Sequence, residues 1–208
     1  MTSVLYFHGF ASSPASAKIT ALRPLLEPHG IELNAPDLNV PSFEQLDFEA
    51  IVEHALECAR RTPPRALVGS SLGALIAISV AKRGVAVPMV LIAPALGVAR
   101  RWREKIPDGD PVTVFNFARN ADAQIHRLFF EQMTNLHVDE TPPPSRVTAI
   151  MGRNDETVPF HMVEERWREW EASGALVPGS QLIVIEEGDH GLVDQTHVIE
   201  QLIVEAAR

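Results

Sequence analysis

The chain has 208 residues, of which 46% are hydrophobic and 22% charged, and its net charge at pH 7 is −9. A chain of this size and composition can bury enough apolar surface to fold without disulfides or metals, so it does not belong to the intrinsically disordered class. The negative charge argues against nucleic-acid binding, because phosphate backbones are bound by basic protein faces. We therefore expect a single domain over residues 1–208.

Apolar runs in the sequence are short. The longest, residues 74–81, contains Ser79 and is far shorter than the ~20 residues that a membrane-spanning helix needs. The first thirteen residues have no basic n-region, and His8 interrupts their apolar stretch, so they do not resemble a signal peptide. The single cysteine, Cys58, has no partner for an internal disulfide. These features predict a cytoplasmic protein without membrane association.

Short apolar runs alternate along the chain with longer segments of helical periodicity. The predicted strands cover residues 4–7, 31–34, 66–68, 89–92, 147–151 and 182–185. The predicted helices lie at residues 16–29, 48–59, 72–81, from about 158 onwards, and 199–206. Residues 72–81 are apolar on nearly every side, which is typical of a helix that is buried all round. The alternation predicts an α/β fold, with a six-stranded, mainly parallel sheet and helices on both faces.

The connection between the fourth and fifth predicted strands is much longer than the others. It spans residues 95–145 and contains a basic cluster at residues 100–103. Connections of this length generally carry structure of their own, so we predict a helical, cap-like insertion that lies above the sheet and could cover a pocket. The basic cluster is either a solvated face of this insertion or an anchor for an anionic group of the substrate.

The strongest functional signal is the pentapeptide Gly69-Ser70-Ser71-Leu72-Gly73, which fits the pattern G-x-S-x-G. It directly follows a predicted strand and begins the buried helix, as a nucleophile elbow does. Glycines at positions 69 and 73 leave room for a sharp turn that exposes a serine hydroxyl beyond the sheet. Their register selects Ser71 as the nucleophile, with Ser70 expected to support the turn. The alternative is a serine that caps an ordinary helix.

A serine hydroxyl is a weak nucleophile and needs a general base, which in turn needs a group to orient it. His190 lies between two glycines in the loop after the last predicted strand and is the expected base. Asp155 follows the fifth predicted strand and is the expected orienting acid, with Glu156 and Asp189 as alternatives. Both loops follow the carboxyl ends of strands, where open α/β sheets bind their ligands.

An oxyanion hole requires two backbone N–H groups that point at one oxygen. Leu72, the residue after the nucleophile, is expected to supply one of them, and Phe10, in the loop after the first strand, the other. Gly9 permits the tight turn of that loop. We expect His8 to be buried and to hydrogen-bond the loop, although a role as the general base is an alternative.

The remaining motifs favour neither a metal nor a cofactor. The other histidines lack the spacing of known metal-binding motifs, and no glycine-rich nucleotide-binding pattern is present. Trp167 and Trp170 lie three residues apart on a predicted helix and are expected to be packing residues rather than part of a substrate site. We therefore predict a protein that uses no cofactor.

Four segments in the first half of the chain carry a family resemblance. They are LYFHGFASSP at residues 5–14, SAK at 16–18, VGSSLG at 68–73 and LIAPA at 91–95. Together they resemble the small YqiA-like serine esterases of the α/β-hydrolase superfamily. The resemblance covers residues 3–96 well and is at superfamily level around residues 152–159 and 188–191. Ala74 departs from the second glycine of many relatives, and Ala93 replaces a more usual asparagine.

This resemblance implies a carboxylic-ester or thioester hydrolase without a metal or cofactor. Together with the motifs, it predicts cleavage of small acyl substrates through Ser71, His190 and Asp155 and an acyl-enzyme. One alternative is a hydrolase-fold protein that binds a ligand without catalysis. Another is a triad enzyme that acts on amides, as an aminopeptidase does, or that performs lyase chemistry. The sequence carries no signal for the oligomeric state.

Overall fold

Six parallel strands form the central sheet of the protein. The structure is a computed structural model that describes residues 1–104 and 108–208. The strands in these residues are β1 (Thr2–Phe7), β2 (Ile31–Asn34), β3 (Ala66–Ser70), β4 (Met89–Ile92), β5 (Val112–Asn116), β6 (Ala121–Ile125), β7 (Val147–Gly152) and β8 (Gln181–Ile185). Strands β5 and β6 form a separate pair outside the central sheet. The sheet has the order β2-β1-β3-β4-β7-β8, and each neighbouring pair in it is parallel. This arrangement confirms the predicted fold class.

Helices cover both faces of the sheet. They are α1 (Ala17–Leu26), α2 (Phe48–Arg61), α3 (Leu72–Lys82), α4 (Val98–Glu104), α5 (Arg127–Thr134), α6 (Phe160–Ala172) and α7 (Thr196–Ala206). Side chains of α1 and α7 belong to the buried cluster on one face, and those of α2, α3 and α6 belong to the cluster on the other. Within the residues that the structure describes, no helix has both the length and the apolarity needed to cross a bilayer.

Helix α3 lies at the centre of its face, and its residues 72–81 are all buried, as the sequence predicted. Two glycines allow this close packing. A Cβ atom at Gly73 would overlap the backbone of Phe7 and His8, and one at Gly69 would overlap the first turn of α3. Because neither position has a side chain, the start of α3 lies directly against β1 and β3.

The insertion at residues 95–145 has mixed secondary structure. It contains α4 and α5, but also the antiparallel pair β5 and β6, so the prediction of a helical insertion was incomplete. The pair was missed although the β5 segment Val112–Asn116 begins with the β-branched residues typical of a strand. Its partner β6 is mostly exposed and has little apolar signal. Aromatic side chains of α4 and α5 pack on Phe10 in the loop after β1, with Phe129 stacked on its ring at a centroid distance of 5.6 Å.

Trp170 joins the insertion to α6. Its ring is fully buried, and its Nε1 donates a hydrogen bond to the carbonyl oxygen of Asp139 at 2.8 Å. The Asp139 carboxylate in turn accepts a hydrogen bond of 2.6 Å from the amide of Gly97, at the start of the same insertion. Trp167 is also buried, and its Nε1 donates to Glu171 on the same helix. Both tryptophans are thus packing residues, as predicted.

Trp170→Phe is expected to lower the free energy of unfolding by about 1–3 kcal/mol, because it leaves the buried carbonyl of Asp139 without a donor. Trp167→Phe is the matched control, and its cost should be smaller because the Glu171 carboxylate can be solvated instead. Urea unfolding of both variants measures the difference. Equal losses would contradict the proposed contribution of the Trp170 hydrogen bond.

Candidate active site

Ser71 lies at the sharp turn between β3 and α3. Its backbone has φ 54° and ψ −118°, a conformation that is sparsely populated for residues other than glycine. Hydrogen bonds hold it there: its amide donates to the Ile92 carbonyl at 2.9 Å, and its carbonyl accepts from the amides of Ala74 and Ala95. Residues held in such strained conformations concentrate at functional sites. The hydroxyl that the sequence singled out therefore belongs to a strained, well-braced turn.

Asp155 holds the His190 side chain. The His190 Nδ1 lies 2.7 Å from Asp155 Oδ2. The other carboxylate oxygen, Oδ1, accepts hydrogen bonds from the amides of Thr157 at 2.9 Å and Val158 at 2.7 Å. The Asp155 side chain is fully buried, whereas 29% of the His190 side chain is exposed. The carboxylate is thus fixed from behind, and the imidazole extends toward the surface of the site.

Gly152 lets the loops that carry Asp155 and His190 pack together. A Cβ atom at Gly152, the last residue of β7, would overlap the backbone of Gly188 and Asp189 in the loop after β8. The loops are also joined by a hydrogen bond of 2.9 Å from the amide of Asn154 to the carbonyl of Gly188. Close packing of the two loops therefore depends on the absence of a side chain at position 152.

The alternative acids and the alternative serine have other environments. Asp189 accepts a hydrogen bond of 2.9 Å from the amide of Leu192 within its own loop, and Glu156 is exposed. The Ser70 hydroxyl is hydrogen-bonded by Lys18 and also contacts the Tyr6 hydroxyl. Asp155 is the one of the three acids for which the structure records a hydrogen bond to His190.

His8 is buried beneath the loop that follows β1. Its Nε2 accepts a hydrogen bond from the amide of Leu38 at 3.1 Å, and its Nδ1 lies 2.9 Å from the carbonyl of Gly9. Burial lowers the pKa of His8, and the Gly9 carbonyl and the nearby Asp37 only partly oppose this effect. A neutral imidazole with both ring nitrogens engaged supports the backbone, and this arrangement leaves no free nitrogen to act as a base.

The two residues whose amides are expected to form an oxyanion hole lie beside Ser71. Phe10 and Leu72 both line a cavity with Ser71. In the turns and loops of the described chain, neither residue gives its backbone N–H to a backbone acceptor. A side chain at Gly9 would crowd Ser71, with its Cβ 3.3 Å from that of the serine. Glycine at position 9 therefore lets the loop after β1 approach Ser71 without this crowding.

Two cavities meet at Ser71. The larger, of about 380 Å³, is mainly apolar, and the insertion and the start of α6 supply much of its wall. Its lining includes Trp102, Val158 and Met162. The smaller, of about 280 Å³, contains His190 and Lys18 and is bordered by the exposed ring of Phe117. Ser71 and Phe10 line both cavities, so a bound molecule could extend in either direction from the hydroxyl.

The three arginines of the basic cluster in the insertion have different partners. Arg100 pairs with Glu165 on α6 at 2.9 Å, and Arg103 donates to the Thr134 carbonyl. Arg101 lines the larger cavity and donates to the carbonyl of Thr157, next to the loop of Asp155. Arg100 therefore ties the insertion to α6, Arg103 joins α4 to α5 within the insertion, and Arg101 reaches the candidate site.

Sequence reasoning missed Lys18 and Tyr6, although both lie within the segments that carry the family resemblance. Burial lowers the pKa of Lys18 to about 8, against the opposing effect of Asp189 and Asp155, and burial raises the pKa of Tyr6. The signal available was a lysine at the first turn of a helix that follows the Gly9 loop. Its proximity to Ser70 becomes visible only when α1 packs on the sheet.

No group of three or more His, Cys, Asp or Glu side chains is arranged to hold a metal ion among residues 1–104 and 108–208.

Comparison with protein families identifies the chain. The model of the uncharacterised protein family UPF0227 matches residues 3–205, which is nearly the whole chain. The chain belongs to this family. The match confirms the family resemblance predicted from the sequence. A search of the curated proteins finds no significant match.

Solved structures show that this UPF0227 protein has the α/β-hydrolase fold. Est1E from Butyrivibrio proteoclasticus with bound ferulic acid superposes with a TM-score of 0.78 at 15% identity, over 99% of this chain and 89% of that chain. Mouse alpha/beta hydrolase domain-containing protein 10 gives 0.76 at 18% identity, over 98% and 88% of the two chains. A monoacylglycerol lipase from Paleococcus ferrophilus gives 0.71 at 14% identity, over 99% and 93%.

The buried His8 makes the stability of this UPF0227 protein depend on pH. The unfolded chain binds a proton at this histidine below about pH 6.5, whereas the folded protein binds it only at lower pH because burial lowers its pKa. The unfolded state then holds more protons, so acidification through this range lowers the free energy of unfolding by up to about 1.4 kcal/mol per pH unit. His8→Gln, which retains an acceptor for the Leu38 amide, should show a weaker dependence.

Urea unfolding between about pH 7 and pH 5 measures this dependence, since histidine changes its charge in that range. His197→Gln, at an exposed position of α7, is the matched control and should keep the slope of the natural protein. An unchanged slope in His8→Gln would show that the protonation of another group controls acid stability.

Proposed function

We propose that the protein is a serine hydrolase that cleaves carboxylic esters or thioesters of small acyl substrates. The observation that carries this proposal is that Ser71 and His190 line one cavity, with His190 held by the buried carboxylate of Asp155. A nucleophile, a base and a group that orients the base are the parts of an acyl-transfer site. They lie at the carboxyl edge of a parallel sheet, where such sites occur.

In the proposed reaction, the Ser71 hydroxyl attacks the acyl carbonyl while His190 accepts its proton. The tetrahedral oxyanion is stabilised by the amides of Phe10 and Leu72, each donor being worth on the order of 10²-fold in rate. Collapse of this intermediate breaks the bond to the leaving group, which takes the proton from His190. Water, deprotonated by the same imidazole, then attacks the acyl-enzyme. As this second intermediate collapses, the Ser71 oxygen takes the proton back from His190 and the carboxylic acid is released.

The position of His190 indicates which part of the substrate binds in each cavity. The leaving-group oxygen or sulfur must receive its proton from this imidazole, so the leaving group is expected to occupy the smaller cavity, which contains His190. The acyl chain then occupies the larger, apolar cavity beside Trp102 and Met162. An apolar wall suits an acyl chain, because its burial there removes hydrocarbon surface from water.

The strain at Ser71 favours catalysis over a role in binding alone. A non-glycine residue with positive φ costs of order 1–3 kcal/mol, and ligand binding by itself does not require a serine in this conformation. The similar structures support the same proposal, since Est1E has ferulic acid bound and another is named as a monoacylglycerol lipase.

Ser71→Ala is expected to reduce turnover of p-nitrophenyl acetate by on the order of 10³-fold or more, because it removes the nucleophile. The same substitution should abolish covalent labelling by a fluorophosphonate probe, which mass spectrometry locates on the labelled peptide. Ser70→Ala is the matched control and should still be labelled at residue 71. Labelling and full turnover in Ser71→Ala would refute the assignment.

Asp155→Asn should lower kcat by on the order of 10³- to 10⁴-fold, because an amide cannot hold the imidazole in the productive tautomer. Asp189→Asn is the matched control and should lose far less activity, since Asp189 caps its own loop. Steady-state kinetics on one ester measures both. Circular dichroism checks that each variant is folded. A greater loss of kcat in Asp189→Asn than in Asp155→Asn would indicate that Asp189 is the orienting acid.

A further inference from the structure

The smaller cavity at Ser71 contains a partly buried cation that the proposed reaction does not use. Lys18 donates a hydrogen bond of 3.3 Å from its Nζ to the hydroxyl of Ser70. In the described part of the chain, the carboxylates of Asp155 and Asp189 act on this ammonium only through space. An ammonium has three N–H donors, so donors remain for a ligand in the cavity.

Much of the cavity lining is apolar, but its polar groups suit an anion. No Asp or Glu is present among the described residues that line it, although the net charge of the chain is −9. Ser12 and Ser16 also line it. Ser16 precedes α1 without capping it, so the side chain leaves the first backbone N–H groups of this helix open. The partial positive charge of a helix N-terminus adds to that of Lys18.

The burial of Lys18 favours the binding of an anion. Burial lowers its pKa to about 8, so the ammonium is still charged at neutral pH but has lost part of its hydration. An anion that enters the cavity would replace this hydration by charge-assisted hydrogen bonds, which are about twice as strong as neutral ones. A neutral ligand would form weaker hydrogen bonds with the ammonium.

We propose that this cavity binds an anionic group, a carboxylate or a phosphate, on the leaving-group part of the substrate, with Lys18 as the principal recognition residue. The inference rests on the proposed function, because His190 and Lys18 line the same cavity and His190 protonates the leaving group there. The substrate class is then an ester or thioester whose alcohol or thiol carries a negative charge.

Three aryl acetates that share the acyl group test the inference. In 4-acetoxybenzoate and 4-acetoxyphenyl phosphate the leaving group is anionic, whereas in 4-acetoxybenzamide it is neutral. After correction for spontaneous hydrolysis rates, kcat/KM of the natural protein should favour an anionic ester by about tenfold, because a hydrogen bond to a charged group is worth about that factor. A preference for one anion identifies it as carboxylate or phosphate. Equal values for all three would overturn the proposal without any variant.

Substitutions then test which residue recognises the anionic group. Lys18→Met should remove the preference for anionic esters, and Lys18→Arg should restore much of it. Arg23→Met removes a charge from an exposed position of the same helix and should keep the preference of the natural protein. Arg101→Met tests the cation of the larger cavity. A preference that survives Lys18→Met and disappears in Arg101→Met would overturn the assignment to Lys18.

A binding measurement separates failure of this inference from failure of the proposed function. If no ester is turned over, the proposed function fails, but calorimetry can still compare 4-hydroxybenzoate, 4-hydroxyphenyl phosphate and 4-hydroxybenzamide as ligands. Tighter binding of an anion that is lost in Lys18→Met would support the anion site by itself. Equal or undetectable binding of all three would overturn it.

Discussion

The site depends on the close approach of backbone to backbone at the turn after β3. Ser71 is held at positive φ because its amide and carbonyl are bonded to neighbouring chain segments and because Gly69 and Gly73 let α3 lie against the sheet. This arrangement costs of order 1–3 kcal/mol locally. The buried residues of α3 offset the cost many times over, since a fully buried aliphatic side chain contributes about 1.5–3 kcal/mol.

A second close approach builds the other half of the site. Gly152 ends β7 where a side chain would overlap the loop after β8, and the two loops meet there. Asp155 then lies under His190, fully buried and with both oxygens hydrogen-bonded. An ionised carboxylate is stable in such a position only when hydrogen bonds replace its lost hydration. The backbone amides of Thr157 and Val158 provide that replacement.

The two cavities on either side of Ser71 differ in chemistry. The larger is walled by apolar groups of the insertion and of α6, and Trp170 fixes the insertion to that helix. The smaller contains the imidazole, a lysine and the uncapped start of α1, without a lining carboxylate among the described residues. Both linings are mainly apolar, and the smaller cavity is distinguished by its imidazole and its lysine, the groups to which we assign the polar or anionic portion of a substrate.

The sequence by itself determined the fold class, the six strands of the sheet, the buried central helix and the family. These follow from local signals, namely apolar runs, helical periodicity and glycines next to a serine, which short segments carry without their tertiary neighbours. It also singled out Ser71, Asp155 and His190 as candidates, because their loops end strands that share one edge of the sheet. It did not separate Asp155 from Asp189 by geometry.

Only the tertiary structure decided which groups meet. The contact between Asp155 and His190 joins residues 35 positions apart, and that between Lys18 and Ser70 joins residues 52 positions apart. Such contacts depend on how helices and loops pack, which no local pattern encodes. The pairing of β5 with β6 likewise became visible only in the structure, because the mostly exposed sequence of β6 carries little hydrophobic signal of its own.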